Sequence, residues 1–187
     1  MRITCGTGGD LDHRQTKGPL KGACWKGSCI LRILPFDLSG EEDLHRLSGL
    51  LKQEQPNVKI LVNGAGYGKT GAAGTIPGAL STGMVRLNDE ALVAVTEMVL
   101  PYISRNSRII QFASAAAFMP QPGFAVYAAS KSFVLSYSRA LAAELKKKEI
   151  YVTAVCPGPV ETEFSGSLSM GESLHLSRNS RWQIRKE

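Results

Sequence analysis

The sequence predicts an α/β protein built on a parallel sheet with helices on both faces. Three observations carry this reading. Between about residues 29 and 164, short apolar runs alternate with longer stretches of helical periodicity, the signature of βαβ units. Glycines, prolines and small polar residues gather where those runs end, at Asn63-Gly64-Ala65-Gly66, Ser114 and Pro157-Gly158. The chain has 187 residues, 43% of them hydrophobic and 20% charged, enough for one domain with a sizeable core.

Residues 1–29 follow no clear period. Ile3-Thr4-Cys5 leads into Gly6-Thr7-Gly8-Gly9, a turn that would cradle a phosphate if a helix followed, but Asp10 to Gly18 does not read as a helix. Ile30 to Phe36 reads as a strand ended by Pro35 and followed by Asp37. Ser39 and Glu42 have capping-box spacing, and Leu44, Leu47, Leu50 and Leu51 form a helical stripe to about Gln55. Pro56-Asn57 is a turn, and Val58 to Val62 a short buried strand. Residues 68–83 read as a loop with about one helical turn. A helix is expected over residues 89–102, with Asn88 near its start. A strand follows from Ser107 to Ala113, then a loop containing Pro120, Pro122 and Gly123, then an Ala-rich helix from Phe124 to Lys147. Ile150 to Cys156 is the last strand. The domain therefore spans 30–164, between an irregular segment, 1–29, and a basic, poorly ordered tail, 165–187.

The net charge of +6 is concentrated in the two ends. It lacks the interleaved aromatics or motif of a nucleic-acid site, so solvated tails account for it better. No apolar run approaches the length of a bilayer span. Cys5, Cys24, Cys29 and Cys156 show no metal-site or disulfide framework, as expected of free thiols in a reducing cytoplasm.

Tyr127-Ala128-Ala129-Ser130-Lys131 lies on the Ala-rich helix. Four residues is about one turn, so Tyr127 and Lys131 share a face. A free phenol holds its proton to about pH 10, and an ammonium one turn away favours the phenolate. Such a pair suits proton exchange with a carbonyl or alcohol. Ser114, across a short loop, is placed to hydrogen-bond the same oxygen. Sites in open α/β sheets lie at the carboxyl ends of the strands, where these residues fall.

In these residues the chain resembles the short-chain dehydrogenase/reductase family over roughly residues 30 to 164. The family's Y-x-x-x-K motif stands as Tyr127 to Lys131, and its catalytic serine matches Ser114. Its N-N-A-G motif matches Asn63-Gly64-Ala65-Gly66, with Gly in place of the second Asn. Its active-site Asn matches Asn88, and its P-G-x-V-x-T segment runs from Pro157 to Thr162. The acidic residue ending its third strand matches Asp37. The resemblance implies a Rossmann-like fold and transfer of a hydride between a nicotinamide and a carbonyl or alcohol carbon. It makes Tyr127 the acid/base, Ser114 the group that orients the oxygen, Lys131 the ribose ligand and support of the phenolate, and Asn88 the holder of a water. Asp37, Asn63, Ala65, Gly66, Tyr127, Lys131, Pro157, Gly158, Val160 and Thr162 would contact the cofactor. From the residues alone, Asn63 also reads as a strand-end cap, Asn88 as a helix N-cap and Thr162 as a loop hydroxyl. The cofactor would be NADP or NAD, which the sequence does not distinguish, with NADP slightly favoured. A weaker likeness over residues 117–126 points to ketosteroids or 3-oxoacyl thioesters. Helices 89–104 and 124–147 would form a homo-oligomer face.

The family's first strand, its T-G-x-x-x-G-x-G turn and its last strand have no counterpart here. The expected domain is therefore incomplete, with poor cofactor affinity. A second reading is an inactive fragment that associates with a partner subunit.

Overall fold

The computed structural model describes residues 34–158. In it, three parallel strands, β1 (Val58–Asn63), β2 (Ile103–Phe112) and β3 (Ile150–Val155), pair in the order β1-β2-β3. The register sets Asn63 beside Gln111, and Ile109 beside both Leu61 and Val152. Four helices accompany them: α1 (Glu41–Glu54), α2 (Gly78–Val85), α3 (Ala91–Val99) and α4 (Ala125–Leu145).

Alternation along the strands decides what faces the helices. Ile109 and Ile150 point into a core closed by Leu47 and Leu51 of α1, Val95 and Val99 of α3, and Leu141 and Leu145 of α4. The opposite face carries Ile60, Val62, Phe112 and Tyr151, all exposed, with the Arg108 guanidinium 4.1 Å above the Tyr151 ring centre. Among the described residues, the helices that share this core lie on one face of the sheet. Val58 to Val62 is therefore not the buried strand expected: Val58 and Leu61 are half-buried against the core, and Ile60 and Val62 are exposed.

The leucine stripe of α1 is as the sequence suggests, with Leu47 and Leu51 each 2% exposed. Its start is not. The N-cap is Gly40, without a side-chain cap. Ser39 is drawn instead into a turn with Asp37, whose Oδ1 accepts from the Ser39 N–H (2.9 Å) and hydroxyl (2.6 Å). Asp43 reaches back to accept from the Asp37 N–H at 2.8 Å. Leu34 to Asp37 form no strand. The Phe36 N–H bonds Leu34 O at 2.9 Å, a three-residue turn around Pro35, which has no N–H to give to a ladder. Residues 30–33 lie outside the described residues.

Asn88 does not begin a helix. The helix runs on from α2 into α3 through a π-turn, Arg86–Glu90, in which the Ala91 N–H bonds Arg86 O five residues back. Asn88 sits mid-turn and is fully buried. The extra residue advances the helix face locally, a device frequent at functional sites.

A polar cluster fastens β1, β2 and α3 together. Asn63 Nδ2 donates to Thr96 Oγ1 and Gln111 Oε1, both at 2.9 Å, and Thr96 Oγ1 donates to Leu92 O at 2.7 Å. Thr96 and Gln111 are fully buried. Replacing Asn63→Ala strands the Gln111 acceptor and should cost about 1–3 kcal/mol, read as a lower denaturant midpoint with an unchanged slope.

Candidate active site

The ends of β1 and β2 and the first turns of α4 meet at one edge. The chain leaves β1 as Gly64-Ala65-Gly66-Tyr67-Gly68 and passes over Asn88, Lys131 and Tyr127. Only glycine permits this path. A Cβ at Gly66 would stand 2.8 Å from Asn88 Oδ1 and 3.4 Å from Lys131 Nζ, and one at Gly68 would stand 2.9 Å from Tyr127 Cδ2. The sequence suggested that these glycines admit a flat ligand; in the structure Gly66 and Gly68 let the backbone pass close to Asn88, Lys131 and Tyr127.

Asn88 holds the arrangement. Its Oδ1 accepts from the Tyr67 N–H, and its Nδ2 donates to Tyr67 O and to Ser130 Oγ, each at 3.0 Å. Ser130 Oγ in turn donates to Tyr127 O at 2.8 Å. A continuous chain of bonds thus links the loop after β1, the π-turn and the backbone of Tyr127. Ser130 and Tyr67 were not expected as site residues. The signal for Ser130 was present, since a hydroxyl on the buried side of a helix needs an internal partner.

Tyr127 and Lys131 are both buried, 7% and 6% exposed, with the Lys131 Nζ 5.9 Å from the Tyr127 ring centre. The ammonium donates to Phe112 O at 2.9 Å and has further N–H groups to give. Burial pulls its pKa down to about 8, and the Asp89 carboxylate partly opposes this. Ser114 caps a short helical turn, Ala115–Ala117, with Oγ accepting from the Ala116 N–H at 3.2 Å. Among the described residues its own O–H proton has no acceptor and can serve as a donor. That turn is fixed to α4 by Ser132 Oγ donating to Ala117 O, and to the segment after β3 by the Ala115 N–H on Pro157 O, both at 2.9 Å.

The structure thus brings Asn88, Tyr127 and Lys131 together with Gly66, and anchors the Ser114 turn to the same helix. Pro157 and Gly158 follow β3 at this edge. Ala65 is half-buried against the core. Asn63 commits its side-chain amide to Thr96 and Gln111, so its side chain serves the sheet. Asp37 is exposed, with Oδ1 spent on the turn before α1. Val160 and Thr162 lie outside the described residues.

Asp89, beside Asn88, is buried with Oδ1 lacking a hydrogen-bond partner among the described residues, and burial raises its pKa to about 7 despite Lys131. Two expectations follow. Gly68→Ala should displace the Tyr127 ring or the loop and lower stability by about 1–3 kcal/mol in denaturant. Between pH 4 and 7 the unfolded chain ionises Asp89 while the folded chain keeps the proton, so Asp89 subtracts stability as pH rises through that window. Unfolding series at several pH values should therefore show Asp89→Leu gaining on the wild type as pH rises from about 4 to about 7.

A family model described as short chain dehydrogenase matches residues 21–173. Among curated relatives, serine 3-dehydrogenase of Rhizobium radiobacter is 32% identical over 162 residues, covering 86% of this chain and 63% of that protein. Sulfoacetaldehyde reductase 2 of Chromohalobacter salexigens is 34% identical over 134 residues, covering 70% and 53%. Among solved structures, the 3-ketoacyl-(acyl-carrier-protein) reductase of Brucella melitensis complexed with NADH superposes with a TM-score of 0.65 at 30% identity, covering 73% of this chain and 60% of that one. A short-chain dehydrogenase of Sphingobium yanoikuyae in complex with NADPH gives 0.65 at 30% identity, covering 72% and 53%. The chain spans less than two thirds of the length of each of these proteins. Its parallel sheet is part of a Rossmann-like domain, and the chain belongs to the short-chain dehydrogenase family.

Proposed function

We propose that the chain carries the catalytic half of an NAD(P)-dependent oxidoreductase acting on a small carbonyl or alcohol, with Tyr127 as its acid/base. The observation that carries this reading is the buried Tyr127–Lys131 pair, locked by Asn88 and Ser130 at the carboxyl edge of the sheet. The donor there suits the nicotinamide-ribose end of the cofactor: an ammonium with hydrogens to spare for ribose hydroxyls. When bound, the nicotinamide supplies or accepts the hydride.

The protein's own residues do the rest. Ser114, its Oγ fixed by the Ala116 N–H, directs its proton at the substrate oxygen and polarises it. Tyr127 gives that oxygen its proton in reduction and takes it back in oxidation. Lys131 holds its ammonium one helical turn from Tyr127, 5.9 Å from the ring centre, where it would meet the ribose hydroxyls. Asn88 keeps Tyr67 and Ser130 in place, so the Tyr127 backbone does not drift when the ring exchanges its proton. Pro157 and Gly158, with Val160 and Thr162 beyond them, would face the carboxamide and phosphates. NADP is slightly preferred to NAD, and the site belongs to a cytoplasmic protein. The outer face of α4, where Phe133 stacks on Tyr137 at 6.1 Å, would join copies of the chain.

The test is nicotinamide-linked turnover of the full chain against serine, sulfoacetaldehyde and a 3-oxoacyl thioester, with NADPH and NADH or their oxidised forms. Tyr127→Phe should keep the fold and cofactor binding and lower kcat by about a hundredfold or more. Equal turnover by Tyr127→Phe would remove Tyr127 from the mechanism.

A further inference from the structure

The loop after β1 is tied to α2 on both sides of a glycine that lies against the Tyr127 ring. That glycine is Gly68. A Cβ there would stand 2.9 Å from Tyr127 Cδ2 and 3.1 Å from Cε2, the ring edge that leads to the phenol oxygen. On one side of it, the Tyr67 hydroxyl donates to Leu80 O at 2.9 Å. On the other, the Lys69 N–H donates to the buried Met84 Sδ at 3.2 Å. Leu80 and Met84 lie on α2, about one turn apart. Two residues further on, the Gly71 N–H donates to Gly123 O at 2.9 Å, which ties the same strap to the loop that leads into α4.

Gly83 makes the Tyr67 bond possible. A Cβ at Gly83 would overlap Tyr67 Oη, so the hydroxyl occupies the space that a side chain would take. The Tyr67 backbone is held separately, by Asn88 of the π-turn. Backbone and side chain of Tyr67 therefore answer to different parts of the same continuous helix. Phe124 and Lys131 also approach the Tyr127 ring, but they belong to α4 and its cap and move with it. Gly68 comes from another segment, and so it can hold the ring relative to the rest of the domain.

We propose that Tyr67 is a positioning residue for Tyr127: by bonding its hydroxyl to α2 in the space left by Gly83, it holds Gly68 against the ring and sets where the phenol stands. This rests on the reading of Tyr127 as the acid/base and deepens it. Tyr67 acts through Gly68 and not on the substrate or the cofactor. The χ2 well of a tyrosine is broad, so the helix alone leaves the ring room to swing. A phenol that must meet a substrate oxygen within hydrogen-bond reach gains from losing that room. Phenylalanine at position 67 would fill nearly the same volume but give Leu80 O nothing, which isolates the hydroxyl as the working group.

The test is NMR of the full chain with isotope-labelled tyrosine rings. The Tyr127 signals are assigned by their loss in Tyr127→Phe, and Tyr151, on the exposed face of the sheet, serves as reference. In Tyr67→Phe the Tyr127 ring should turn about fivefold to tenfold faster, the effect of one lost hydrogen bond, with the Tyr151 signals unchanged. Gly83→Ala should loosen the same ring, because its Cβ evicts the hydroxyl. Tyr67→Phe/Gly83→Ala should be no looser than Tyr67→Phe alone, since the clashing group is gone. Unmoved Tyr127 signals in folded Tyr67→Phe would overturn the proposal, and so would additive effects of the two changes. Should Gly83→Ala fail to fold, recovery of the fold in the double variant is the expected result, and its absence the contrary one. These signals are read without turnover. Absence of oxidoreductase activity would strike the functional reading while the hold on the ring stands, whereas turnover with an unmoved ring would strike the role of Tyr67 alone. Where turnover is measured, Tyr67→Phe should lower kcat with the KM for the cofactor little changed.

Discussion

One side-chain amide fastens the site. Asn88 gives both its donors and its acceptor to protein partners, two on the Tyr67 backbone and one on Ser130. Each bond is worth about 1 kcal/mol net, but a buried amide left unpaired costs about 1–3 kcal/mol. The arrangement is therefore closer to all-or-none than its individual bonds suggest. Much of the local architecture follows from it. The helix must widen into a π-turn to present Asn88, the loop after β1 must carry glycines to pass over it, and α4 must place a small hydroxyl, Ser130, one residue before Lys131.

Around that fastener the protein keeps two buried charged groups that work against its stability. Lys131 and Asp89 both titrate within about a unit of neutrality because burial opposes their charged forms. A core built for stability alone would use apolar residues at both positions. Lys131 holds a hydrogen bond to the end of β2 and lies one helical turn from Tyr127, so its cost is tied to the chemistry of the phenol. The sheet edge thus does two jobs: its apolar layers set the helices, and its last carbonyls and glycines position charge.

The three strands and α1, α3 and α4 were legible because their apolar periods are strong, whereas α2, most of it in the stretch read as a loop, and the turn at Leu34–Phe36, read as a strand, were not. The leucines of α1, the β-branched runs of β1 to β3 and the alanines of α4 each declare one element. That Tyr127, Lys131 and Asn88 lie together is as the resemblance to the family's ordered motifs implied. What was not legible depends on contacts between distant segments. Asn88 read as a possible helix cap because a π-turn has the same residue types as an α-helix start. Ser39 and Glu42 had capping-box spacing, but Asp37, two residues earlier, outcompeted the helix for the Ser39 hydroxyl. Asn63 read as a cofactor ligand or a strand-end cap, and its side-chain bonds to Gln111, its register partner on β2, and to Thr96 of α3 could not be read from the sequence. The exposed face of β1 and β2 was hidden because Ile60-Leu61-Val62 and Ile109-Ile110 are unbroken apolar runs, the pattern of strands covered on both faces.

The central claim, that Asn88 fixes the loop and α4 as one unit, is tested most directly by amide hydrogen exchange at Tyr67 in Asn88→Ala. With protection along β2 and β3 retained, the account predicts that the Tyr67 amide exchanges about tenfold faster or more. An unchanged Tyr67 rate in that folded variant would contradict it, because the loop would then be held without Asn88.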